Sequence, residues 1–415
     1  MKTFIKTFIK GLIVPLIASP FLMADEPVEE IIVKGKVLYA DQVNALKTPT
    51  DIVDVPQSLS IVTDEQIRKQ GIREIGDIVR YTPGVNTSQG EGHRDAVVFR
   101  GGRSTADFYQ DGARDDVQYY RSLYNVEQVE VLRGPNALLF GRGGTGGIIN
   151  RVTKKATLGE SFGSFDIGAN DNGSFDFAAD YNADSGENTA FRVNVHSDSL
   201  ENHRDFFDGD RVGFNPTVKI QMSDATTLDL SYEYADHERF IDRGIPTANG
   251  RPVEALKDVV FGTSDLNLTT LEADIFRGII TTDLSDTSKA IFSLTSSEFE
   301  KMYKNLYASG YDLTTNVVTL DGYYDPTERE NLIFSANLVN ELEIGGATHT
   351  LLIGAEIIDT DNKNVRYDTY WSTTQKDKES FNVSRPLNIA TNSSGVPTSV
   401  DYTTKLKSST TSDIE

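Results

Sequence analysis

Four arginines, Arg94, Arg103, Arg114 and Arg121, interleave with Tyr109, Tyr119 and Tyr120 in one short stretch of this chain. Guanidinium groups present planar donors to anionic oxygens, and aromatic rings beside them can stack on a flat ligand. The set suits noncovalent capture of an aromatic anion, although each member is equally readable as a surface arginine or a core tyrosine. Covalent chemistry finds less support. The five histidines (His93, His196, His203, His237, His349) never stand four apart or near a cysteine, as metal-ligand sets tend to do. Asp115 and Asp116, and the acidic run 205–210, lack the spacing of a calcium loop. Gly141, Gly143 and Gly146 satisfy G-x-G-x-x-G, but a β-branched strand follows where a dinucleotide fold needs a helix. No Lys-Ser/Thr pair follows either, so a phosphate loop fails. No Ser/His/Asp grouping is readable in one dimension.

The elements that must position these residues form a compact α/β unit of roughly 100 residues, an ordinary domain size. Residues 59–62 read as a short strand. Thr63 and Gln66 fit a capping box that opens a helix ending near Gly71. Ile72, Ile75, Ile78 and Val79 mark an apolar helical stripe that Pro83-Gly84 ends. Residues 97–99, 108–110, 129–132 and 148–152 read as strands, and Asp111-Gly112 is a hairpin signal. Pro135 suits the first position of a short helix ending at Gly141. Between Gly134 and Gly147 stand six glycines in fourteen positions. That density means a backbone approached closely by something else, and the expectation is a surrounding wall.

Composition narrows the class. The chain has 415 residues, no cysteine and a net charge of −22. Phosphate backbones would repel so acidic a surface, which argues against a nucleic-acid partner. The first 24 residues pair Lys2, Lys6 and Lys10 with a short apolar run, as an export leader does, with cleavage expected after Ala24. A polar segment, 25–50, follows and holds one isolated β-prone pentapeptide, Glu29-Glu30-Ile31-Ile32-Val33. It reads as a stray strand or as a tether that adds to a partner's sheet.

After Lys155 the period becomes two. Residues 175–181, 191–196, 228–234 and 334–338 alternate aromatic or aliphatic residues with Asp, Asn, Arg or Ser. A soluble sandwich would give the same alternation. Spacing favours a membrane barrel: short polar turns at 223–224 and 170–173 contrast with long connections at 236–269, 303–330 and 360–404. Tyr232, Tyr234, Phe175 and Tyr181 suit interfacial girdles. At about 9–11 residues a strand, the segment holds roughly ten or eleven strands. A barrel enclosing a domain-sized plug needs about 22, so about half is expected to be missing and the chain to be truncated.

These blocks resemble the TonB-dependent siderophore receptors of the bacterial outer membrane. EEIIVKG resembles the TonB box. DVPQSLSIVTDEQI, IGDIVRYTPGV, VFRGGRSTADFYQDGARDD and VEVLRGPNALLFGRGGTGGIINRVTK resemble successive blocks of the plug, and DRGIPTANGRPV a barrel-loop segment of the catecholate type. The resemblance implies a signal peptide (1–24), a TonB box and linker (25–50), and an α/β plug (51–155). The plug would sit inside a transmembrane antiparallel β-barrel, present here in part (156–415). It implies a transporter with no covalent cofactor, one that imports ferric siderophores and is exported to the outer membrane of a Gram-negative bacterium. TonB, with its inner-membrane energising complex, would contact Glu30, Ile31, Ile32 and Val33. The ferric siderophore would meet Arg94, Arg103, Tyr109, Arg114, Tyr119, Tyr120 and Arg121. A receptor of the same build for haem, cobalamin or a glycan is the alternative, and a passive porin or secreted adhesin the different-class one.

Overall fold

The computed structural model describes residues 47–48, 52, 55–88, 90–134, 140, 144, 146–264, 266–371, 374–383 and 402–414, the last as backbone. The expected leader, the pentapeptide with Glu30 to Val33, and the expected helix from Pro135 (Phe140 apart) lie outside them.

The N-terminal unit is built as its sequence signals demand. Strand β1 (Ser58–Thr63) runs into helix α1 (Asp64–Gln70). The Thr63 side chain accepts from the Gln66 amide while Gln66 reaches back to the Thr63 amide, and Gly71 ends the helix at φ 61°. Such a cap stabilises a helix end by about 1 kcal/mol. Helix α2 (Ile75–Val79) buries Ile75, Ile78 and Val79. Strands β2 (Val85–Thr87), β3 (Val97–Phe99) and β4 (Gly102–Ser104) make a three-stranded sheet. Strands β5 (Phe108–Gln110), β6 (Ala113–Arg114), β7 (Val126–Arg133) and β8 (Gly147–Thr153) join β1 in a five-stranded sheet of order β1-β7-β8-β5-β6. Asp111 (φ 48°) and Gly112 (φ 81°) form the expected tight turn between β5 and β6. The helices lie on a core of Ile67, Ile78, Val97, Phe108, Val129 and Ile149.

One expectation is overturned here. What approaches the glycine-rich segment, where it is described, is the unit itself. A Cβ on Gly147 would lie 2.5 Å from the Leu132 carbonyl and 2.6 Å from the Phe99 ring. The glycine therefore closes the internal seam between β7, β8 and Phe99, not a contact with the wall.

Apart from one small hairpin, the remaining strands form one open antiparallel sheet. They are β9 (Phe162–Ala169), β10 (Phe175–Asp184), β11 (Thr189–Ser199), β12 (Gly209–Ser223), β13 (Thr226–Phe240), β16 (Leu268–Ser285), β17 (Ser288–Asp312), β18 (Val317–Ile344), β19 (Ala347–Trp371) and β21 (Tyr402–Ile414). Strand β20 (Glu379–Asn382) adds to β18, giving eleven strands. A small hairpin, β14 (Thr247–Ala248) and β15 (Arg251–Pro252), stands in the connection 241–267.

The two faces of the sheet invert the usual order. Arg192, Asn194, His196 and Asp198 of β11 face inward and are buried, while Phe191 points out. Phe276, Ile280, Phe292, Leu294, Phe334, Ile353 and Ile357 form an exposed outer belt. Toward one end the outward positions turn acidic, with Asp274, Glu298, Glu300, Glu328 and Glu330. An apolar band with a wet inner face is what lipid demands of a barrel wall.

The turns correct the loop map. Turns at 185–188, 224–225, 286–287 and 345–346 share the end opposite the acidic row. The short turn 170–173 lies at the other end, beside the connection 241–267. The expected long loop at 303–330 is mostly strand: β17 and β18 run on past the acidic row to a turn at 313–316. Strand β19 likewise continues to Trp371. The extensions bury Tyr303, Leu306, Val318, Leu320 and Trp371 among many polar residues, and backbone pairing holds them as a ribbon. This is the end that carries the long connections.

Candidate ligand-facing site

Two Arg/Tyr/acid clusters occupy the lumen, and only one is open. The closed cluster is centred on Arg121, which has no exposed surface. Its Nε donates to Asp115 (2.8 Å), its Nη2 to the carbonyls of Asp115 (2.7 Å) and Val117 (2.8 Å), and its Nη1 approaches Asp95 (3.4 Å). The guanidinium lies 4.0 Å from the Phe108 ring centre and 4.5 Å from that of Tyr119. Arg151 completes it, donating to Asp115 (2.9 Å), Gln110 (3.1 Å) and the Tyr119 hydroxyl (3.1 Å). Burial works against the charge on Asp115, yet Arg121 and Arg151 hold its carboxyl below the ordinary value. Asp95 has less compensation, and burial pushes it up to about 6 against the pull of Arg121. Gln110 carries the network to Glu233 of the wall (2.8 Å).

The open cluster lies at the long-loop end, where the loop 90–95 meets the extended strands. The His93 ring stacks on Tyr303 of β17, with centroids 3.7 Å apart. Tyr303 and Tyr323 meet edge to face at 5.3 Å, and Tyr307 and Tyr323 at 6.3 Å. Arg243 lies 4.1 Å over the Tyr307 ring and Arg366 4.0 Å over that of Tyr323. Glu91 sits among them. Its carboxylate is 2.8 Å from Arg94, 3.8 Å from Arg243, and accepts from the Tyr323 hydroxyl (3.1 Å). Contact with His93, together with the charges of Arg94 and Arg243, holds the Glu91 carboxyl well below its usual range. Burial, with Lys301 and Arg94 nearby, keeps His93 neutral.

Arg243 is placed by the connection 241–267. Leu256, Phe261 and Leu266 pack on Leu306, Leu320 and Trp371 and clamp that connection to the ribbon. The Asn267 amide ties its ends, donating to the carbonyls of Ile241 and Leu306 (2.9 Å each).

The seven sequence candidates separate accordingly. Arg94 belongs to the open cluster. Tyr120 lies beside it, under Arg239 (4.2 Å from guanidinium to ring centre), in a recess lined also by His93, Arg211 and Lys301. Arg121 is closed inside the plug, Tyr119 is buried against Leu271, Ile275 and Phe299 of the wall, and Tyr109 is buried against Leu132, Phe140 and Ile148. All three are buried, and their rings and guanidinium pack against protein. Arg114 is half-buried over Tyr109 (5.7 Å) beside Asp116 (3.6 Å), which Arg329 of the wall also holds (2.6 Å). It braces a plug–wall tie. Arg103 is exposed on β4 and does not join the others. Sequence reasoning passed over Glu91, Tyr303, Tyr323 and Arg366. Arg243 falls in the DRGIP block, the one signal that pointed to it.

Residues 51–148 match the TonB-dependent Receptor Plug Domain family. The probable TonB-dependent receptor BfrD of Bordetella pertussis is 30% identical over 248 residues, covering 58% of this chain and 32% of that protein. The catecholate siderophore receptor Fiu of Escherichia coli K12 is 30% identical over 227 residues, 51% of this chain and 28% of that one. The chain thus spans about a third or less of these two relatives. The crystal structure of the siderophore receptor PiuA from Acinetobacter baumannii superposes with a TM-score of 0.75 at 22% identity, over 90% of this chain and 55% of that one. The chain carries a TonB-dependent receptor plug domain, followed by strands folded as in the barrels of TonB-dependent siderophore receptors.

Proposed function

We propose that this chain serves as an outer-membrane receptor that binds ferric siderophores, the catecholate type foremost, and passes them to the periplasm with energy from TonB. The observation that carries the reading is the open cluster: Arg94, Arg243 and Arg366 interleaved with Tyr307 and Tyr323 at the extracellular mouth, on the buried ring of Tyr303. Ferric catecholates are polyanions with aromatic rings, and arginine and tyrosine complement both properties. The name of Fiu, a catecholate siderophore receptor, points the same way. Glu30 to Val33 is the proposed TonB contact, pairing as an added strand. Transport is by remodelling of the plug, without covalent chemistry or a resident cofactor. Residues 1–24 are the proposed cleaved leader.

Growth of a receptor-null strain on defined iron chelates tests the cargo. Rescue by ferric catecholates supports the reading, and rescue only by haem or cobalamin moves it to another cargo. Deleting residues 29–33 should stop uptake while binding persists. Uptake that survives the deletion would instead indicate a passive pore.

A further inference from the structure

We propose that Glu91 is a built-in competitor for the ligand: its carboxylate occupies the anion position of the open cluster, and an incoming siderophore must displace it. This rests on the siderophore-receptor reading and adds to it a residue that sets affinity.

Glu91 is the one carboxylate that the plug loop 90–95 places among Arg94, Arg243 and Tyr323. The Tyr303 hydroxyl fastens the same residue by donating to its carbonyl (3.0 Å). The donors that a catecholate's oxygens would seek are thus already engaged by the protein's own anion. The loop that delivers it is held in a costly shape. Gly90, Glu91 and Gly92 are all left-handed, at φ 61°, 57° and 79°. For the glutamate, whose Cβ crowds the backbone there, that conformation is strained. A Cβ on Gly92 would lie 2.9 Å from Ile241, so the loop is wedged under the connection that carries Arg243. Glu91 is half-buried, close to the mouth, and within reach of a solute.

Displacement would also be felt below. Three residues on from Gly92, the Asp95 amide donates to the Tyr119 carbonyl (3.1 Å), and its carboxylate accepts from the Arg121 amide (3.0 Å). The loop that loses its anchor is therefore joined to the closed cluster and, through Arg151, to β8. Anion exchange at the mouth is coupled by this route to the centre of the plug.

The test is equilibrium binding of ferric tris-catecholate to the full chain in outer-membrane vesicles. Glu91→Gln keeps size and the hydrogen bond to Tyr323 but removes the charge; Glu91→Asp keeps the charge. We expect Glu91→Gln to bind about two- to fivefold tighter than the parent, the scale of losing one partly exposed ion pair, and Glu91→Asp to bind like the parent. If the parent binds and Glu91→Gln binds equally or more weakly, the competitor role is wrong and the receptor reading stands. If neither protein binds any ferric catecholate, both fall.

Discussion

The closed and open clusters are made of the same residue types and stand in the same lumen, yet they serve opposite ends. Around Arg121 the donors are satisfied inside the protein, between two carboxylates and two rings. At the mouth, Arg243 and Arg366 lie over tyrosine faces, Arg94 and Arg243 share the Glu91 carboxylate supplied by a strained loop, and Arg366 pairs with Asp325. A buried ion pair fixes geometry, and removing one partner strands the other. A shallow cationic and aromatic cage can exchange its anion for another. Composition alone cannot separate the two; burial and the identity of the acceptors do.

The comparison breaks first on stability. Arg121→Ala leaves Asp95 and Asp115 buried without their main partner, and should cost about 3–5 kcal/mol. Thermal or urea denaturation of the purified chain reads this, and Arg243→Ala should show no comparable loss. Arg243→Ala should instead weaken ferric catecholate binding about tenfold or more, since a hydrogen bond to a charged group contributes about 1.5–3 kcal/mol. Equal effects of the two substitutions on stability would erase the distinction.

Two smaller changes sharpen it. Tyr120→Ala should lower affinity a few-fold, about the worth of one cation–π contact near the mouth. Arg114→Ala should leave affinity unchanged, because Arg114 faces Asp116 and the wall. Reversal of that order in a binding titration would return Arg114 to the ligand set. The smallest effect is on pH dependence. Asp95 is raised from 3.8 to about 6 in the folded plug, so the folded state holds a proton that the unfolded state has released. Its contribution therefore favours the fold below about 4 and fades as pH rises to about 6. Asp95→Asn should flatten that slope in denaturation measured across this window.

The plug was largely legible because its signals are local. The capping box at Thr63, the left-handed Gly71 and the Asp111-Gly112 turn each depend on a few adjacent residues, and each appears where its residues stand. The barrel strands were legible in kind, since period-two alternation marks a wall between lipid and water. Their lengths were not. Beyond the acidic row β17 and β18 carry only a few buried apolar residues, Leu306, Val318 and Leu320, covered by a connection distant in sequence, and pairing there is set by the partner strand. The site was the least legible part. Arg121 and Arg94 look alike in sequence, and what separates them is a long-range matter of Asp95, Asp115 and Phe108 closing around one of them. Tyr303 and Tyr323 were hidden for the opposite reason: they reach Glu91 from strands more than 200 residues away in sequence.

The location of bound iron tests the central claim most directly. Anomalous scattering from crystals of the chain with a ferric tris-catecholate should place the metal at the mouth, over the cage bounded by His93, Arg243 and Tyr323. Iron seated elsewhere on the chain, with Glu91 still held by Tyr323 and Arg94, would contradict the account.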